Sequence, residues 1–162
     1  MIGQQHYSFT DTFSFDDCGF TIDGVENAEG VMHFRVAKGG EAFLVSDNYS
    51  FRDVLTNRAT GKWFVIRGNG LFHETAATHV SGNVYEFVAI EAGQPFVMED
   101  SAGNVVVRDR GVIRQSYLFD TLGDGTPGGV RLEDTGVSVH GPHPGFADDF
   151  PFCELAAGLT GA

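Results

Sequence analysis

The sequence predicts an all-β protein: a single antiparallel up-and-down β-barrel of about eight strands, one domain over residues 1–162, with a C-terminal tail (141–162) packed against it. Three observations predict it. Apolar and polar residues alternate with period two in one stretch after another, the pattern of strands with one face buried. Turn clusters recur between these stretches, in a chain that holds 22 glycines. No segment shows the 3.6-residue periodicity of an amphipathic helix of ordinary length. Mostly sequential hairpins favour the up-and-down order, and closure into a barrel would remove the exposed edges.

The elements follow in order. In "YSFTDTFSF", Tyr7, Phe9, Phe13 and Phe15 share one parity and Ser8, Thr10, Thr12 and Ser14 the other. "FTIDGV" and "GVMHFRVA" read as the next strands, the second with Met32, Phe34 and Val36 opposed to His33 and Arg35. "EAFLVSDNYSFRDVL" is a longer strand, bent or bulged around Ser46–Asn48. The turn "NRATGK" precedes "WFVIRGNGLFHETA", whose Gly68–Gly70 kink suits a bulge or a barrel corner. After the turn "THVSGN" come "VYEFVAIEA", "QPFVMED" and "VVVRDRGVIRQSYLFDT", and after the loop "LGDGTPGG" comes "VRLEDTGVSVH". Beyond that point "ELAAGL" offers at most a short helical turn.

Composition narrows the function classes. Hydrophobic residues make up 42% of the chain and charged residues 20%, enough to bury a core. The formal net charge of -12 repels phosphate backbones and anionic membrane surfaces, so no nucleic-acid partner is expected. No apolar run approaches the roughly 18 residues of a membrane helix, so a membrane-spanning chain is not expected. The start, "MIGQQHYSFT", lacks the basic and apolar regions of a signal peptide. The chain is then either cytosolic or a mature form with an initiating Met. Cys18 and Cys153 are the two cysteines, at opposite ends. That separation suits a disulfide staple and lacks the short spacing of a zinc or redox motif; the other reading is two unrelated buried thiols.

Chemistry-bearing residues are dispersed. "VSVHGPHPGFADDFPFC" holds His140 and His143, with Asp148 and Asp149 as the nearest further ligands, but Pro142 and Pro144 forbid the helix that such a metal pair needs. The stretch reads better as a rigid exit from the last strand, with the histidines at the surface and Phe146, Phe150 and Phe152 as anchors. His33, His73, Tyr85 and Arg67 are the acid/base candidates for a barrel interior, His73 sharing parity with Leu71 and Thr75. Phe34, Phe64, Phe72, Phe87 and Tyr117 are the candidates to line an apolar pocket. "DTLGDGTPGG" lacks the ligand spacing of a calcium loop, and no nucleophile elbow or phosphate loop is present, so neither a metal nor a cofactor is expected.

Taken together, "YSFTDTFSFDDCGF", "GNGLFHETA", "LFDTLGDGTPGG" and "VSVHGPHPGFADDFPFC" resemble a group of small exported β-proteins of actinobacterial type. In these an N-terminal aromatic strand ends in Cys, and a second Cys precedes a short Ala/Leu tail. The resemblance implies export after signal removal, a Cys18–Cys153 disulfide and no assigned activity. In architecture alone the layout is similar to lipocalin-like and allene-oxide-cyclase-like barrels. The expectation for function is a secreted barrel that binds a small apolar or amphipathic ligand. The alternatives are a barrel cyclase or isomerase using interior His, Tyr and Arg, and an extracellular structural or interaction module whose partner is a second copy or another protein.

Overall fold

A computed structural model describes residues 2–162. Eight strands follow one another: β1 (Gly3–Phe15), β2 (Ile22–Val36), β3 (Phe43–Asn57), β4 (Trp63–Ser81), β5 (Val84–Glu99), β6 (Val105–Arg108), β7 (Gly111–Asp120) and β8 (Val130–His140). The sheet is antiparallel, in the order β1-β2-β3-β4-β5-β7-β8, with the short β6 paired to the far end of β5. This is the up-and-down meander that the hairpins imply. Among the described residues no pairing joins β1 to β8, so the hydrogen-bonded sheet has two free edges.

The count of eight strands agrees with the sequence reading, but the boundaries differ, and the run Val105–Thr121 divides into β6 and β7. "FTIDGV" and "GVMHFRVA" are one continuous strand, because the Glu26–Gly30 stretch between them keeps full register with both neighbours. "VYEFVAIEA" and "QPFVMED" are likewise one strand, β5. The expected kink at Gly68–Gly70 coincides with a register shift between Arg67 and Asn69. Around Ser46–Asn48, by contrast, β3 runs in unbroken register with β2.

One face of the sheet is covered at both ends. At one end lies α1 (Phe152–Thr160), where the sequence offers only a turn. Phe152, Leu155, Ala156 and Leu159 follow helical spacing and meet Ile22, Leu55, Phe64, Ile66 and Met98. The helix stops at Gly161, whose φ of 69° is left-handed and whose N–H bonds back to the Ala157 carbonyl. Nine residues with one apolar stripe are helical because the sheet supplies the partner for that stripe. Thr160 reinforces the docking: its hydroxyl accepts from Asn57, and its carbonyl accepts from Thr60.

At the other end the sheet curls. The β2–β3 hairpin brings Ala37, Ala42 and Leu44 against Tyr85, Phe87 and Ala89 of β5 and Tyr117 of β7. Phe87 and Tyr117 stack with ring centres 5.8 Å apart. The covered face is therefore concave, with apolar clusters at its two ends and an open middle.

The disulfide is present. Cys18, in the turn after β1, is bonded to Cys153 in the first turn of α1, closing 135 residues. The tail before it departs from expectation in two places. Phe146 is 48% exposed and belongs to neither apolar cluster. His143, expected at the surface beside His140, is buried. Its ring lies 4.0 Å from the Asp109 carboxylate. Asp109 is itself buried and accepts from the Gly145 N–H, so the tail doubles back over the segment linking β6 to β7. Phe150 and Phe152 do serve as anchors, edge-on to Phe96 and Phe64 respectively.

Candidate functional site

The open middle of the concave face is built from the strand register. Residues directly opposite one another on neighbouring strands share a face, so the pairings define rows that run across the sheet. One row is Tyr7, Gly30, Tyr49 and Gly70; the next is Phe9, Ala28, Phe51 and Gly68. Flanking them are Met32, Asp47, Phe72 and Glu91 on one side, and Asp11, Glu26, Asp53 and Ile66 on the other.

Aromatic rings lie over glycines in these rows. A Cβ on Gly30 would fall 2.4 Å from the Tyr7 hydroxyl, and one on Gly68 would fall 2.4 Å from the Phe51 ring. Phe13 covers Gly24 in the same way. The missing side chain lets each ring lie down across the neighbouring strand, which covers an otherwise bare backbone. Tyr7 and Phe9 then stack at 6.3 Å, and Tyr49 and Phe51 at 6.5 Å. The result is a paved aromatic floor across β1–β3.

The glycine gaps also let the tyrosines reach two strands away. Tyr7, lying over Gly30 of β2, donates to Asp47 of β3 at 3.0 Å. Tyr49, beside Gly70 of β4, donates to Glu91 of β5. Elsewhere Tyr117 donates to Glu74, and Tyr85 donates to Glu41 at 2.8 Å. All four tyrosines of the chain thus end on a carboxylate. Burial and the Asp47 carboxylate together push the Tyr7 phenol up to about 12. Burial followed by the acidic partner also raises Tyr49 and Tyr117. These phenols are fixed as donors through the physiological range.

Asp53 is held differently. One of its oxygens is buried without a hydrogen-bond partner. Burial first, and then the neighbouring Glu26 carboxylate, push it up to about 6. A carboxyl raised in the folded state favours folding when protonated, and that contribution is lost as pH rises from about 4 to about 6. Asp53→Asn is therefore expected to stabilise the protein at pH 7.5 by about 1 kcal/mol after discounting for the solvent still reaching the group. At pH 3.5 it should change little. Urea unfolding at the two pH values checks this, and an Asn variant that is less stable at pH 7.5 would refute it.

The rows enclose a groove of about 500 Å³ lined by Tyr7, Phe9, Met32, Tyr49 and Phe51, with Glu26 and Asp47 at its polar margins. The expected apolar lining lies elsewhere. Phe64 is fully buried under α1, Phe87 and Tyr117 are buried at the hairpin end with Phe72 packed on them, and Phe34 is half-buried near the end of β2. Phe64, Phe72, Phe87 and Tyr117 are thus taken up by the two apolar clusters.

The four acid/base candidates are not brought together. His33 and His73 flank Ser46 on the opposite face, since Phe72 and Glu74 take the concave side. Arg67 is also on that opposite face, donating two N–H groups to one oxygen of Glu99 in an ion pair. Tyr85 is buried at the hairpin end, edge-on to His79. The buried acid missed by sequence reasoning is Glu74, 7% exposed, whose oxygens accept from the Tyr117 hydroxyl and the Val45 N–H. Burial raises its carboxyl above the usual range against the pull of those two bonds. Among the described residues no group of three His, Cys, Asp or Glu side chains is arranged to hold a metal ion. Among the described residues no helix is long and apolar enough to cross a membrane. In comparison with known proteins, the chain matches no family model, no curated protein and no solved structure.

Proposed function

We propose that the protein is an exported carrier or receptor for a small apolar or amphipathic molecule, bound on the aromatic floor of the concave face. The observation that carries this is the groove itself: about 500 Å³, within the usual range for small-molecule sites, lined by four rings and a methionine that are left only partly covered where the ends of the face are filled. Phe9 is 47% exposed, a cost in water that a bound apolar body would remove. Export is supported by the disulfide, a bond that persists in oxidising compartments, and by the resemblance to small exported actinobacterial β-proteins. A second reading, an extracellular interaction module, is favoured by the free edge at β8. There Val130, Leu132 and Val137 are at least half exposed.

The test is titration with the neutral fluorescent probe N-phenyl-1-naphthylamine. Saturable 1:1 binding is expected, weakened at least tenfold in a Phe9→Ser/Phe51→Ser variant. Binding that survives in that variant would place the ligand elsewhere. Absence of binding would move the weight to the interaction module.

A further inference from the structure

We propose that the natural occupant of this groove is a cationic amphiphile, with an ammonium head beside Glu26 and Asp53 and an apolar body along Phe9, Phe51, Tyr49 and Met32. The proposal rests on the reading of the groove as a ligand site and adds the charge and direction of the ligand.

The charge follows from what surrounds the floor. Asp11, Glu26 and Asp53 stand side by side on β1, β2 and β3, all on the concave face. Carboxylates directly opposite one another on paired strands repel, and nothing basic offsets them. Among the described residues the ion pairs are Arg58–Asp23, Arg67–Glu99 and Arg131–Asp134, and neither they nor the His143–Asp109 approach involves this row. Among the described residues no Lys, Arg or His lines the groove. At its other margin Asp47 accepts from Tyr7 with one oxygen, while the second is buried without a partner. The floor is therefore apolar in the middle and anionic at both ends.

Such a surface discriminates by charge. A fatty acid or phosphate ester would add a further anion beside unpaired carboxylates. A neutral molecule would leave Glu26 and Asp53 facing each other. A quaternary or primary ammonium screens both, and the adjacent ring faces attract it further, since the π-cloud of Tyr or Phe favours a cation within about 6 Å. The head is assigned to the Glu26–Asp53 end because two carboxylates on paired strands meet there, whereas Asp47 has the Tyr7 hydroxyl. From that end to Asp47 is six residues along β3, about 20 Å. That length accommodates an extended body of eight to ten carbons.

The experiment compares three probes with the same eight-carbon body by calorimetry at pH 7.5: octyltrimethylammonium, 1-octanol and octanoate. The cation is expected to bind at least tenfold tighter than octanol, with octanoate weakest, and its affinity should fall with added salt. In an E26Q/D53N variant the cation should drop to the level of octanol while octanol binding stays put. That variant keeps side-chain volume and removes a repulsion, so it is expected to fold, which circular dichroism would verify. Octanol binding as tightly as the cation would overturn the cationic assignment and leave the apolar groove standing. Undiminished cation binding in E26Q/D53N would overturn the head site. Absence of binding by all three would overturn the groove as a ligand site altogether.

Discussion

Replacing Cys18 and Cys153 together by alanine is expected to lower the unfolding free energy by about 5 kcal/mol. The bridge closes a loop of 135 residues, and constraining so long a loop in the unfolded chain is worth nearly that much in the loop-entropy account. For a domain whose whole stability is of order 5–15 kcal/mol, the loss leaves the reduced protein near its unfolding threshold. Urea unfolding of the oxidised, reduced and double-alanine forms measures it. The reduced and alanine forms should agree, because burial of a free thiol or a methyl here differs little. A loss below about 1 kcal/mol would mean that the unfolded chain is already held compact by other means.

The second large effect is expected at Phe64. Its side chain is fully buried, opposite Leu55 on the paired strand and edge-on to Phe152 of α1 at 6.3 Å. Truncation to alanine removes the ring and leaves a cavity between sheet and helix, a change that costs about 3–5 kcal/mol. Trp63, the preceding residue, is 37% exposed, and Trp63→Ala should cost far less, about 1 kcal/mol. The two large effects are coupled. Phe152 touches Phe64 and is the neighbour of Cys153, so loss of the bridge loosens the contact that Phe64 makes. Phe64→Ala should therefore cost less in the double-alanine background, by an interaction of about 1 kcal/mol or more. Strict additivity would show that α1 stays docked without its covalent tie.

Much of the fold is legible in the residues. Alternation in "YSFTDTFSF" and "GVMHFRVA" marks β1 and half of β2, and the Gly68–Gly70 kink marks the irregularity in β4. Within β2 and β5 the alternation is locally weak, so each reads as two strands in the sequence. Gly24, Ala28 and Gly30 look like interruptions until the rings over Gly24 and Gly30 show why small residues belong there. The helix was hidden for the opposite reason. Phe152, Leu155, Ala156 and Leu159 form its stripe, but two turns flanked by proline carry little weight until a sheet is present to receive them.

The groove was partly written in the sequence. Tyr7 and Phe9 share a parity, as do Tyr49 and Phe51, and each pair has a glycine opposite on the next strand. Reading that needs the register, which is set by strand pairing across 20 to 40 residues and is invisible in any one segment. Large aromatics such as Phe64 and Phe87 stand out within single segments, and these are the ones that tertiary packing consumes. The carboxylate partners of the tyrosines were equally out of reach, because Tyr7 and Asp47 meet only after β2 has passed between them.

The meander has a consequence for the order of assembly. Along β1 to β5 each strand pairs with the one just made, so the sheet can be laid down hairpin by hairpin as the chain emerges from the ribosome, with short searches at every step. The fastenings that complete the core lie far off in the chain: Thr160 meets Asn57 and Thr60 across roughly a hundred residues, and Cys153 meets Cys18 across 135. The apolar patch formed by Ile22, Leu55, Phe64 and Met98 therefore waits, uncovered, until α1 follows all eight strands out. During that interval the nascent sheet shows a greasy end and a free thiol to its surroundings. Docking of α1 covers the apolar end, and closure of the Cys18–Cys153 bridge, its two electrons passing to an oxidant of an oxidising compartment, removes the thiols.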